Sequence, residues 1–211
     1  VAGNRFGKLG VVASFSQSYR ETFQREGRAF YRLGEGDELE AVSDYEIEAG
    51  TQRAQIGGVA NLSFQATTNH RLSFENFYTH SGRDEGRRFE GPNTENNFYY
   101  FNNRVQFIEE GLFSNGLSGE HFFRGLSNSR LDWRATYSRA NRDEPDLRET
   151  LYQATLVPLA GGGFTYSGSP VLADESQSGF RMFNDLEDNT LVGVANWSIF
   201  STAGDRPTQY K

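Results

Sequence analysis

The sequence predicts an all-β fold: an antiparallel, up-and-down β-meander of the transmembrane type, with about six strands in three hairpins. Apolar and polar residues alternate with a period of two in several stretches, as they do in strands with one apolar face. The segments between these stretches are alternately short and long, like the two ends of a membrane barrel. Aromatic residues make up 14% of the chain although the hydrophobic total is only 36%, which is typical of a sheet with one wet face.

The clean alternating stretches have about the 9–11 residues that a tilted strand needs to cross a bilayer. The fourth stretch, Val105 to Phe123, is less regular because Glu109 and His121 fall on its apolar side. The residues that we expect to face lipid are Leu9, Val11, Phe15, Leu62, Phe64, Leu72, Phe74, Leu131, Trp133, Tyr137, Trp197 and Ile199.

The alternate positions on the same stretches carry small hydroxyls and charges, which would form a hydrated wall around a lumen. Two interpretations of the charged side chains remain open: pairing with neighbouring strands, which is favoured, or contact with a ligand. The residues that we expect to face the lumen are Ser14, Ser16, Ser18, Arg20, Asn61, Ser63, Ser73, Glu75, Asp132, Arg134, Thr136 and Ser138.

The connections place the strand ends on two sides of the predicted membrane. Residues 66–70 and 124–129 form short connections, and residues 23–50, 82–103 and 141–185 form long ones. Tyrosines lie at the long-loop ends of the strands and phenylalanines near the short turns, as in aromatic girdles. These aromatic residues are Tyr19, Tyr78, Tyr137, Phe64, Phe123 and Phe200.

Six strands are too few to form this barrel. A closed barrel needs about eight strands before side chains can fill its interior, and an open edge in lipid costs several kcal/mol for each unpaired backbone group. The stretch Ala203 to Pro207 has the composition of a turn, so both ends of the chain would lie on the short-turn side. We therefore expect residues 1–211 to be part of a larger barrel whose other strands lie elsewhere in the parent protein.

Several stretches resemble the barrel strands and turns of TonB-dependent receptors. They are Asn69–Phe74, Gly119–Phe123, Ser129–Ala140, Arg142–Arg148, Phe183–Asp188 and Asp205–Lys211. This resemblance implies a 22-stranded outer-membrane barrel closed by a plug domain. It also implies binding and import of a scarce nutrient of the siderophore, cobalamin or glycan type, driven by the TonB complex. The chain contains no recognisable plug or TonB-box segment, so this portion would not carry the energy-coupling step.

Other functional classes find little support in the composition. The chain has no Cys and a net charge of −7, which excludes thiolate metal sites and argues against a nucleic-acid partner. We expect no cofactor, and no metal site at His70, His80 or His121, because none of these lies at metal-ligand spacing from another. We also expect no enzymatic activity, because no nucleophile with a neighbouring base is recognisable.

Seven acidic residues without a basic one lie between Gly34 and Glu48. We interpret Glu35 to Glu48 as a solvated outer loop, although it could gather cations. An alternative for the whole chain is a soluble β-sheet module that binds a carbohydrate-type ligand. That module would carry its aromatic residues on one exposed face or in loops and not in two bands.

Overall fold

The computed structural model describes the backbone of residues 1–34, 36–203 and 206–210, and the side chains of residues 1–34 and 36–199. This part of the chain forms an antiparallel sheet that is not closed, with the order β1-β2-β3-β4-β5-β6-β8-β9 and β7 paired with β6. The strands are β1 (Ala2–Phe6), β2 (Leu9–Leu33), β3 (Leu39–Thr67), β4 (His70–Asn93), β5 (Phe98–Phe123), β6 (Ser129–Pro158), β7 (Phe164–Leu172), β8 (Phe180–Ala203) and β9 (Arg206–Tyr210).

The predicted all-β, antiparallel, up-and-down meander is confirmed. Each of the six alternating stretches lies inside one long strand: β2, β3, β4, β5, β6 or β8. The predicted number of strands was too low, because β1, β7 and β9 are additional short strands that fold back on their neighbours. No helix in the ranges given above is long and apolar enough to span a membrane.

The long outer loops were the wrong part of the prediction. Residues 23–50, 82–103 and 141–185 lie mostly in strands, so the six long strands contain 24 to 30 residues each. The strands continue outward as paired hairpins and turn at residues 36–38, 94–97 and 159–163. Both faces of these outer hairpins carry polar residues, so they lack the alternation that reveals a half-buried strand.

Two acids of the acidic stretch, most of which forms the outer part of β3, lie opposite bases on β2. Glu48 on β3 lies opposite Arg25 on β2, with Arg25 Nε 3.0 Å from Glu48 Oε1. Arg32 and Glu40 form the corresponding pair nearer the turn, at 3.3 Å. Exposed pairs of this kind contribute only about 0.2–1 kcal/mol each, but opposite charges across a ladder favour the paired strands. Glu35, which belonged to the predicted loop, lies outside the described residues.

A small apolar cluster sits at the outer end of the sheet. Tyr100, Leu151 and Ala173 are buried, and Tyr45, Phe89 and Phe98 pack against them. Two hydrogen bonds to one backbone carbonyl attach the connection between β7 and β8 to this cluster. Ala173 N–H donates to Leu151 O at 2.9 Å, and the Ser178 hydroxyl donates to the same oxygen at 3.1 Å. Most of the large apolar side chains elsewhere are exposed.

A bulge interrupts β6 at Glu144 to Leu147. Pro145 occupies it, as expected of a residue that cannot donate to a ladder. Glu144 is 2% exposed and accepts a hydrogen bond from Gln106. Hydrogen bonds from Arg181 and Arg148 lower the pKa of Asp146 to about 2, so this carboxylate stays ionised at acidic pH values at which an ordinary Asp is protonated.

The inner turns are tighter than the sequence suggested. Thr68 and Asn69 alone connect β3 to β4, so His70 is a strand residue and not a turn residue. The turn at residues 124–128 ends with Ser127 and Asn128 in the left-handed region, with φ of 51° and 49°.

Two predictions at the other end of the chain lie outside the described part. The predicted turn includes residues 204 and 205, and the predicted aromatic girdle includes the Phe200 side chain.

Backbone exchange tests the extension of the sheet beyond its alternating core. We expect the amides of residues 46–50 to be strongly protected from hydrogen exchange, because they pair with β2 on one side and β4 on the other. In residues 23–33, which pair on one side only, we expect alternate amides to be protected. The unpaired connection at residues 174–177 serves as an internal control and should exchange quickly. Equal, fast exchange in all these segments would show that residues 23–50 form a loop.

Candidate functional site

The twelve residues predicted to face lipid all lie on one face of the sheet. Cross-strand pairing aligns them in rows, because residues directly opposite each other point to the same side. One such row contains Leu9, Phe64, Leu72, Gly119 and Trp133, and the next contains Val11, Leu62, Phe74, Leu117 and Ala135.

These side chains form a broad exposed surface. Phe15 is 72% exposed, Leu117 45% and Trp197 48%. An apolar surface of this extent marks a site of contact with a partner or a membrane. We call it the apolar band and take Tyr19, Ala54, Tyr78, Phe113, Tyr137 and Leu191 as its outer limit.

The apolar band crosses the hydrogen-bonded rows obliquely. The row through Tyr137 and Leu191 meets β2 at Ala13, six residues inward from Tyr19. From β2 to β8, which is five strand pairs, the outer limit of the band therefore moves inward by six residues relative to the hydrogen-bonded rows. The inner limit moves inward by four residues over the same strands. Leu9 shares its row with Ala195 on β8, and Ile199 lies four residues closer to the inner end of that strand. With about 3.3 Å per residue and about 4.8 Å between strands, the band makes an angle of about 30–40° with the rows.

Polar side chains define where the apolar band ends and where it is interrupted. Four to six residues beyond its outer limit, Glu109, Asp143 and Asp185 lie opposite one another on β5, β6 and β8. His80 Nε2 lies 3.5 Å from Glu109 Oε1. Inside the band, the amides of Asn76 and Asn115 hydrogen-bond to each other. This pairing lowers the cost of placing two amides on an apolar surface.

Two histidines and a tryptophan form a network at the inner edge of the band. Pairing of β4 with β5 places His70 opposite His121, with their Nδ1 atoms 3.1 Å apart. Trp133 Nε1–H donates to His121 Nε2, also at 3.1 Å. Because His121 Nε2 accepts from the indole, Nδ1 is the ring nitrogen of His121 that is left to donate to His70.

Sequence reasoning missed this network, since residues 70 and 121 become neighbours only through the register of β4 and β5. The exact lengths of the two short inner turns fix the register of these strands, and they would have predicted the contact between the two histidines. The network leaves His121 Nε2 engaged by an indole and not open to a metal ion. Among the residues with described side chains, no three His, Asp or Glu residues are grouped so that they could hold one.

Glycine makes room for the Trp133 ring. Gly119 lies directly opposite Trp133 on β5, and a Cβ atom at position 119 would collide with the indole and with His121 Nε2. The indole and the His121 ring are nearly parallel, with centroids 6.5 Å apart. The small residue therefore allows the ring to lie flat over the strand.

The twelve residues predicted to face the lumen share the opposite face, which we call the polar face. Glu75 and Arg134, which lie on β4 and β6, meet above Gly116 of the intervening strand at 3.6 Å. The Ser114 and Ser138 hydroxyls are 2.9 Å apart.

Two further arginines of the polar face, Arg71 and Arg130, also have polar partners. Arg71 Nε donates to Ser63 Oγ at 3.1 Å, and Arg130 Nε lies 2.8 Å from Asp132 Oδ2. Phe77 and Leu112 are apolar residues on this face, which is therefore mixed and not uniformly hydrophilic.

A comparison with protein-family models gives no match for this chain, and a comparison with curated proteins gives no relative. The two faces of the sheet are therefore the features that point to a function.

Replacing Trp133 by Phe tests the inner network. The variant keeps an aromatic ring over Gly119 but removes the donor to His121 Nε2, so we expect unfolding to cost about 0.5–1.5 kcal/mol less. Urea unfolding of the purified protein measures this difference. Trp197→Phe, on the same face and strand-paired to Leu131, is the matched control and should change stability less. An equal loss in both variants would assign the effect to indole packing and not to the hydrogen bond.

Proposed function

We propose that this chain is part of the wall of an outer-membrane transport barrel of the TonB-dependent receptor type. The oblique apolar band supports this proposal most strongly. Strands of outer-membrane barrels are tilted by about 35–45°, and their apolar belt is about 25 Å tall. A belt parallel to the membrane must therefore cross the rows of a tilted sheet at a similar angle. The angle of about 30–40° obtained from the register fits this requirement.

The height of the apolar band fits the same proposal. On β3 the band runs from Phe64 to Ala54, a distance of ten residue steps, and on β8 from Ile199 to Leu191, a distance of eight steps. These lengths correspond to roughly 26–33 Å along the strands. With a tilt near 40°, the band would span roughly 20–25 Å of membrane thickness.

The two faces would then have separate roles. The apolar band would contact outer-membrane lipid, and the polar face would line the lumen. The short turns would lie on the periplasmic side, and the extended hairpins would project outward to meet a small nutrient ligand.

The open edges are also consistent with a part of a larger barrel. On β2, residues 14–33 pair with β3, while β1 covers only residues 9–13 on the other side. We propose that further strands of the parent protein pair with both edges and close a barrel of the 22-strand type. A plug domain and the TonB complex would act through that parent protein.

A soluble carbohydrate-binding module is the second candidate. It is favoured by the aromatic group at the outer hairpins, where the Tyr166 ring centroid lies 5.0 Å from that of Phe101 and 5.1 Å from that of Tyr99. Stacked or tilted aromatic rings can bind sugar faces. The module leaves the long, exposed apolar band without a role, so we favour the barrel.

Single cysteines at Ala135, Thr136 and Ser167 distinguish the two candidates. In cells that make the full-length protein, we expect an impermeant thiol reagent to label position 167 from outside. Position 135 should react only with a lipid-soluble reagent, and position 136 only with a small aqueous one. The reason is that Ala135 lies on the apolar band and Thr136 on the polar face. Free aqueous labelling of all three positions would support the soluble module and exclude the barrel.

A pair of arginine substitutions tests the lipid contact energetically. Leu117 and Ser118 are neighbours on β5 but lie on opposite faces. We expect Leu117→Arg to destabilise the protein folded in lipid vesicles by about 2–4 kcal/mol, since this residue would lie near the midplane. Ser118→Arg should have a much smaller effect, because its side chain would enter a hydrated lumen. Equal effects of the two substitutions would contradict the assignment of the faces.

A further inference from the structure

Three arginines lie side by side on the polar face. Arg20 on β2 pairs with Arg53 on β3, and Arg53 pairs with Arg83 on β4. Directly opposite residues have Cβ atoms about 4.5–5.5 Å apart and point to the same side. The sheet therefore places three guanidinium groups in one row across three adjacent strands, which we call the arginine row.

The arginine row lacks the charge pairing found elsewhere in the sheet. Within the part of the chain with described side chains, none of its three members forms an ion pair. Ten other arginines in this part each form at least one ion pair with a carboxylate. The nearest carboxylates on this face are those of Glu85 and Glu110, one row outward and one row inward. Glu110 already accepts a hydrogen bond from Arg142 at 3.0 Å.

Like charges directly opposite each other destabilise a sheet. Like-charge pairs occur elsewhere in the sheet, as in Glu46 opposite Glu90. Where Arg148 lies opposite Arg181, however, both share the Asp146 carboxylate, a counter-charge of a kind that the arginine row lacks. If these arginines served only to keep the sheet soluble, an acid in place of one of them would serve equally well and would remove the repulsion. The row therefore concentrates positive charge at a cost to folding, and an anion bound there would offset that cost.

The neighbouring rows supply further hydrogen-bond donors. Ser18, Gln55 and Ser81 form the row on the inner side. Thr22 and Thr51 lie in the row on the outer side. Hydroxyl and amide groups around a guanidinium cluster can complete the coordination of an oxyanion.

A second arginine pair lies further out on the same face. Arg87 is directly opposite Arg104, and the buried Arg104 Nε has no hydrogen-bond partner among the described side chains. Carboxylates lie beside this second pair, since Glu85 is one row inward of Arg87 and Glu149 is directly opposite Arg104. The charge here is therefore mixed and does not extend the arginine row.

The arginine row lies level with the outer limit of the apolar band. Arg20 follows Tyr19, which marks the outer limit of the apolar band, and Arg83 follows Gly82 just beyond Tyr78. In the barrel proposed above, this level is the outer mouth of the lumen, where an incoming ligand would pass before it reached the membrane-embedded part.

We propose that Arg20, Arg53 and Arg83 form a binding site for a small polyanion with two or more carboxylate or phosphate groups. Its location in a lumen rests on the proposed transport function, whereas binding of the anion itself does not. Each guanidinium can hold a carboxylate or phosphate through two parallel N–H donors. Three of them in one row, spaced by about 4.8 Å from strand to strand, suit a ligand whose acidic groups are spread over about 10 Å.

Calorimetric titration of the full-length protein in detergent tests the site, with citrate and inorganic pyrophosphate as probes and sucrose as the neutral control. We expect saturable binding of at least one anion that weakens as salt is added, and none of sucrose. The central substitution, Arg53→Gln, should weaken binding at least about tenfold. Arg53→Lys should weaken it less, because it keeps the charge but loses the bidentate geometry.

Arg134→Gln is the matched control. Arg134 is an exposed arginine on the same face, but it pairs with Glu75. Its loss should change anion affinity by less than about twofold, whereas an equal effect of Arg53→Gln and Arg134→Gln would reduce the site to a general electrostatic attraction and overturn the proposal. Absence of saturable binding of both anions to the unmodified protein would also overturn it.

The thermal midpoint without any anion provides a second readout. Removing the central charge relieves repulsion, so Arg53→Gln should unfold at the same temperature as the unmodified protein or higher. A clearly lower midpoint would mean that Arg53 has a structural role and would count against the site.

The cysteine labelling described above separates this proposal from the transport function. Anion binding with aqueous labelling at position 135 would keep the site and reject the barrel. Lipid-restricted labelling at that position without anion binding would keep the barrel and reject the site.

Discussion

The continuous antiparallel ladder from β2 to β8 is the constraint on which the other features depend. In a β-sheet, a shift of one residue moves a whole strand's side chains to the opposite face. The register shifts in this sheet occur near Phe30, Gln65, Val105, Glu144 and Gln153, none of which lies between the inner and outer limits of the apolar band. The ladder is therefore regular where the two faces differ most and irregular only beyond that region.

This regularity explains why the sequence alone could predict both faces. The alternation in β2, β3, β4, β6 and β8 assigns each residue to a side without any knowledge of the neighbouring strand. Relative positions of residues on different strands require the register as well. The oblique course of the apolar band, the contact of His70 with His121 and the alignment of Arg20 with Arg53 and Arg83 all depend on turn lengths known to the residue.

The error about the outer loops has a different physical cause. Periodicity detects strands through the contrast between an apolar and a polar side, and the outer hairpins have little such contrast. Their pairing is expressed in cross-strand charges such as Arg25 with Glu48, which a scan along one strand does not compare. Hence a run of acids that suggests a solvated loop when considered alone becomes a strand when its arginine-bearing neighbour is taken into account.

Long paired hairpins change how the outer part of this protein could meet a ligand. Beyond Tyr19, β2 continues for fourteen residues to Leu33, roughly 45 Å along the strand. Side chains on such a sheet keep fixed spacings, whereas those on a flexible loop must be ordered when a ligand binds, at a cost in affinity. The arginine row and the aromatic group of Tyr99, Phe101 and Tyr166 are both carried on paired strands. Recognition on this surface would thus rely on preformed geometry, and the repulsion between neighbouring arginines would be tolerated because the backbone ladder on both sides holds the central strand in place.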